Sequence, residues 1–169
     1  VSALVPVLKS LKYNLERNKL LFISQTEIYD SKVLREVLTK LKITAKKLNL
    51  ELVFRPHPRD DENINIAKEL DIEISNFKEE YDFARTSIAA GINSAMMIGF
   101  IHTNTHIIQI QHKKNLNICE EFDYKNTSLM KTTQLSKFEI KFKKVKNINT
   151  PNVNELDPIL IIKRTICDV

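Results

Sequence analysis

The stretch FRPHPRD, residues 54–60, sets one histidine between two prolines, with an arginine on either side of that triplet. Pro56 and Pro58 fix φ near about −65°, and Arg55 and His57, each preceding a proline, are pushed into extended backbone. A strand that ends in this corner cannot coil directly into a following helix. His57 is therefore held on stiff backbone, with little entropy left to lose when it meets a ligand. An imidazole can donate a hydrogen bond to a phosphate oxygen, and as imidazolium it can neutralise that oxygen or give up its proton. Arg55 and Arg59 add guanidinium groups suited to phosphate or carboxylate. His57 is thus the catalytic candidate, and Arg55, Pro58 and Arg59 are phosphate-binding candidates around it. Asn93–Ser94, ahead of the apolar AMMIGF, forms the second half of the site, because a hydroxyl and the amides of a helix N-terminus suit an anion. Taken singly, these are a strand end and an N-cap. Placed at one edge of one sheet, they argue for function.

The elements that must position them follow from periodicity. Residues 1–18 read as a helix on Leu4, Val7, Leu8, Leu11 and Leu15. KLLFIS (19–24), ELVFR (51–55), IEIS (72–75), TSIAAGI (86–92) and HIIQIQ (106–111) read as strands. Between them, residues 31–50 carry an amphipathic stripe behind the N-cap pair Asp30–Ser31. Further helices run from the acidic turn Asp60–Asp61–Glu62 to Leu70, over NFKEEYDFAR, and over SAMMIGFIH. Residues up to Gln134 read as helical or irregular, FEIKF as a last strand, and NELDPILIIKRTICDV as a closing helix with Pro158 in its first turn. Strand alternating with helix predicts an α/β fold, a Rossmann-like parallel sheet flanked by helices. The expected organisation is an N-terminal helix or interdomain segment at 1–18, a Rossmann-like domain at 19–134, and a basic segment with the closing helix at 135–169, packed on the same domain. In such a sheet ligands bind beyond the carboxyl ends of the strands. That edge collects Ser24–Gln25, Arg55–Arg59, Ser75–Asn76 and Asn93–Ser94. Ser24 and Gln25 join the phosphate-binding candidates, while Ser75 and Glu79 are candidates for a ribose or base. Glu79, Glu80 and Asp82 otherwise read as an exposed helix face.

Composition narrows the classes. A chain of 169 residues supports one domain with a real core. It lacks an initiator Met, which is expected of a fragment, and its start carries no basic leader or cleavage signature. Cys119 and Cys167 are far apart, so neither a disulfide framework nor a zinc site is expected, and a reducing, cytoplasmic setting follows. His102 and His106 flank the turn TNT, with His112 and Cys119 near them. Zinc needs three or four convergent ligands, so no metal is expected there and loop polarity accounts for these residues. Two glycines, Gly91 and Gly99, exclude a G-x-G-x-x-G fingerprint and a P-loop. The net charge of +5 is scattered over lysines, and its one dense block is SKFEIKFKKVK. That block reads as a solvated surface, with peripheral contact to an anionic membrane or polymer as the alternative. No nucleic-acid module or aromatic–basic interleaving is present.

RPHPR after an apolar strand, then a capped N-S-A helix after a small-residue strand, resembles the carboxy-terminal half of bacterial GT-B glycosyltransferases. Within that group the likeness is to sialyltransferases and polysialyltransferases, which carry an HP motif and a later Ser/Thr-rich motif. LLFISQ is similar to the opening of that half-domain. The likeness covers roughly residues 19–112. It implies that His57–Pro58 and Asn93–Ser94 hold the phosphate of CMP-sialic acid, with His57 assisting the departure of CMP. It also implies no cofactor, and a glycan acceptor bound through an N-terminal domain that supplies the acidic base. Asn-Ser stands where the family has adjacent Ser/Thr residues, and Asp60–Asp61 lies on the wrong side of the HP pair to replace the base. Glycerophosphotransferases that use CDP-glycerol share histidine corners of this kind. They remain an alternative reading, as do a non-catalytic nucleotide-binding module and a scaffold that recruits a polyanion.

Overall fold

The computed structural model describes residues 9–10, 12–13, 15–25, 30–59, 61–75, 78–92, 94–101, 103–111 and 126–138. Ser2–Phe138 form one compact unit. Val1 and Glu139–Val169 group apart from it and lie outside the described residues.

The strands are β1 (Lys19–Ile23), β2 (Glu51–Arg55), β3 (Glu73–Ile74), β4 (Thr86–Gly91), β5 (His106–Ile110) and β6 (Thr127–Met130). The helices are α1 (Ser31–Lys47), α2 (Asp61–Glu69), α3 (Glu79–Arg85) and α4 (Ala95–Phe100). They build one six-stranded sheet in the order β3-β2-β1-β4-β5-β6, with every pairing parallel. This is a Rossmann-like α/β arrangement. Its strand order reverses between β1 and β4, which puts the topological switch point where those two strands part.

Alternation along the strands sorts the core into two layers. Leu21, Ile23, Val53, Ala89 and Ile107 face Phe83 of α3 and Met97 and Phe100 of α4. On the other parity Phe22 stacks on Phe54 with ring centres 5.8 Å apart, while α1 buries Leu34, Val37, Leu38, Leu41 and Ala45. Each fully buried side chain of this size contributes about 1.5–3 kcal/mol. The helix α1 begins where Asp30 accepts from the Lys32 amide at 2.7 Å, the N-cap expected from Asp30–Ser31. Gly91 lets α4 come close, since a Cβ there would sit 2.8 Å from Met97 Sδ and 3.1 Å from the Ile23 carbonyl oxygen.

Two expectations are corrected. Leu15–Asn18 are not helical. Arg17 is tied to the sheet instead, its guanidinium donating to the Thr86 carbonyl at 2.6 and 2.9 Å and to the Thr105 hydroxyl, while Ser87 donates to its carbonyl. Tertiary bonds override helical spacing here. Thr127–Met130, read as helical or irregular, form the edge strand β6. The 3-10 turn Thr132–Lys137 follows, and Thr44 of α1 donates to its Leu135 carbonyl at 2.5 Å. Leu135 and Phe138 are buried and belong to the same unit. The rest of FEIKF, the closing helix and most of residues 1–14 lie outside the described residues.

Candidate functional site

The carboxyl ends of the strands bring the expected segments into one row: Ser75 after β3, Arg55 to Arg59 at and after β2, Ser24–Gln25 after β1, and Ser94 beyond β4. The row is continuous because Ser24 N–H donates to the Arg55 carbonyl at 2.9 Å and Ser75 N–H donates to the Phe54 carbonyl at 2.8 Å. From β2 to β4 is two strand spacings, about 10 Å. A ligand held by both His57 and Ser94 must bridge that gap across the end of β1.

His57 is half-buried, and its Nδ1 accepts the backbone N–H of Arg59 at 3.2 Å. A neutral imidazole that accepts at Nδ1 carries its proton on Nε2. The turn after Pro58 therefore selects the tautomer that can donate to an anion. Pro58 and Arg59 are exposed.

Arg55 is engaged within the protein. Its Nη1 donates to Asp82 Oδ2 at 2.7 Å, and Ser75 Oγ donates to the same oxygen at 2.6 Å. Asp82 Oδ1 lies 3.3 Å from Arg85 Nη2, outside hydrogen-bond geometry, and Arg85 also pairs with Glu73 at 3.2 Å. Asp82 is 0% exposed, which corrects its reading as part of an exposed helix face. A carboxylate removed from water needs opposite charge and donors around it, and two arginines and a serine supply them. Arg55 and Ser75 thus tie the ends of β2 and β3 to α3. Glu79 is exposed in the first turn of α3.

Ser94 caps α4, its hydroxyl oxygen accepting the Met96 amide at 3.3 Å. That amide is thereby occupied, and the hydroxyl proton is what Ser94 has to offer a ligand. Ser24 is buried, and the Gln25 side-chain oxygen, beside the switch point, is buried without a hydrogen-bond partner among the described residues. Asn93, Asn76, Asp60, His102, His112, Cys119 and Cys167 lie outside the described residues. His106 sits at the opposite edge, 3.0 Å from Ser128 Oγ with its ring against Phe138, and burial pushes its pKa down.

No family model matches the chain, and no curated protein matches it. The site rests on its own geometry.

Two buried polar residues near this edge have partners that the sequence does not announce. Gln109 is a lone amide in the apolar strand HIIQI. Asp82 stands three residues before Arg85, a spacing at which helical side chains meet. A polar residue among apolar strand residues, and an arginine at the end of an apolar strand, were the available signals for buried polar partners.

Proposed function

We propose that the chain is the nucleotide-sugar-binding half of a GT-B glycosyltransferase, taking a CMP-activated sialic acid for bacterial surface-glycan synthesis at the cytoplasmic face of the membrane. The observation that carries this reading is the His57 ring. It stands on proline-stiffened backbone at the carboxyl edge, one strand from the switch point, with Nδ1 occupied by the Arg59 amide. Nε2–H is then the group that meets the donor phosphate.

The reaction is an inverting displacement at the anomeric carbon. An acidic residue of the partner half takes the acceptor hydroxyl proton as the new C–O bond forms. The bond from the anomeric carbon to the phosphate oxygen breaks, and its electron pair leaves with CMP. Negative charge grows on that phosphate, where preorganised donors lower the barrier most. His57 and the Ser94 hydroxyl are those donors. Arg59 adds positive charge at the exposed rim, and Ser24 and Gln25 line the end of β1 between them. Arg55 acts by holding the β2 end in place through Asp82.

Calorimetric titration with CMP, CDP, UMP and UDP, repeated on His57→Ala, tests this. CMP should bind and should weaken at least ten-fold in the variant, which keeps its fold. A preference for CDP moves the reading to a CDP-glycerol transferase. Equal affinity in wild type and variant removes His57 from the site.

A further inference from the structure

Gln109 interrupts an otherwise apolar stretch of β5 and is 0% exposed. A buried primary amide is costly unless its polar atoms find partners. Its Nε2 donates to the main-chain carbonyl of Ile92 at 3.1 Å. The pairing of β4 with β5 ends at Gly91 and Gln109, one residue before Ile92. Ile92 is itself buried at 1% exposure. The side chain of β5 thus extends the grip on β4 past the end of the ladder, to the last residue before the connection that carries Asn93 and Ser94.

We infer that Gln109 is a positioning residue: it anchors the Ile92 carbonyl and so fixes where the β4–α4 corner presents Ser94 to the donor phosphate. The inference rests on the donor-site reading above and adds a residue to it that does not touch the ligand. At Gly91, the residue paired with Gln109, Met97 of α4 and the Ile23 carbonyl of β1 also stand close. The Gln109 amide is the donor at the strand's end that the ladder does not supply. Its replacement by an apolar side chain of similar size keeps the volume but leaves the Ile92 carbonyl without this donor.

The test compares wild type, Gln109→Leu and Thr44→Val. Thr44 is also fully buried and also donates from its side chain to a main-chain carbonyl, that of Leu135 at 2.5 Å. Its loss therefore matches the stability effect while sparing the β4–α4 corner. CMP affinity is read by calorimetry and amide exchange by NMR at Met96–Ile98. Gln109→Leu should bind CMP at least ten-fold more weakly than Thr44→Val, and the corner amides should exchange at least ten-fold faster. Should Gln109→Leu not fold, Gln109→Asn, whose amide is one methylene short of the carbonyl, carries the same comparison. Equal affinities and equal exchange in the two variants overturn the positioning role and leave the donor site standing. Failure of wild type to bind CMP overturns the donor site, and the positioning role with it.

Discussion

Replacing Asp82 by Ala removes the centre of a buried ion cluster. Asp82 Oδ2 takes hydrogen bonds from Arg55 at 2.7 Å and Ser75 at 2.6 Å, and Oδ1 faces Arg85 at 3.3 Å. The Arg85 side chain is 9% exposed and that of Arg55 19%, so without Asp82 both cations are poorly hydrated, although Arg85 keeps its pair with Glu73. Removing one member of such a buried pair costs about 3–5 kcal/mol. That is a large part of a total stability of about 5–15 kcal/mol, and for a chain of this size it lowers Tm by roughly 6–20 °C. Urea unfolding followed by circular dichroism measures it directly. Glu69→Ala is the internal comparison, since the Arg35–Glu69 pair is exposed on both sides and contributes less than about 1 kcal/mol. The double variant Arg55→Met with Asp82→Ala should lose less than the sum of the singles, because the two residues form one unit. An Asp82→Ala protein within about 1 kcal/mol of wild type would refute the claim that this cluster ties α3 to the ends of β2 and β3.

Two further outcomes follow from packing and titration. Gly91→Ala forces Met97 aside and crowds the Ile23 carbonyl, so it should destabilise by about 1–3 kcal/mol; an unchanged urea midpoint would show that α4 can retreat without loss. His106 is neutral-favouring in the fold because burial lowers its pKa from the ordinary value of about 6.5. The unfolded chain then binds the proton first as pH falls. Its contribution to stability is full above about pH 6.5 and declines as pH drops towards the depressed folded value. The stability of wild type relative to His106→Gln should therefore shrink from pH 8 to pH 5, and a gap independent of pH would contradict the burial argument.

How much was legible before the fold was seen depends on what sort of bond holds each element. Runs such as KLLFI, ELVFR and HIIQI and the stripe of α1 carry their structure in their own periodicity, and the parallel sheet followed from their alternation. TSLM of β6 has a weaker pattern, because an edge strand half open to water needs fewer apolar residues. Leu15 falls at helical spacing although Arg17, two residues on, is committed to Thr86 of β4 and to Thr105 just ahead of β5, bonds no local pattern announces. In the candidate site, the proline–histidine–proline corner and the Ser94 cap could be read directly, since both are local. The engagement of Arg55 by a carboxylate 27 residues away, and of the Ile92 carbonyl by an amide 17 residues away, could not. Those partners meet only once the strand order is known.

That strand order also sets a sequence of events in time. β1 lies between β2 and β4, and Lys19 pairs with Thr86, 67 residues later in the chain. Its pairing with β2 can form early, but its other flank, carrying the apolar Leu20, Leu21, Phe22 and Ile23, has no neighbour until β4 has been made. At a synthesis rate of about 5–20 residues per second, that flank waits roughly 3–13 s. For that interval the nascent protein displays an unpaired strand edge of the kind that recruits other chains. The seam between β1 and β4, the switch point of the finished fold, is thus also the join whose first strand waits longest for its partner during synthesis.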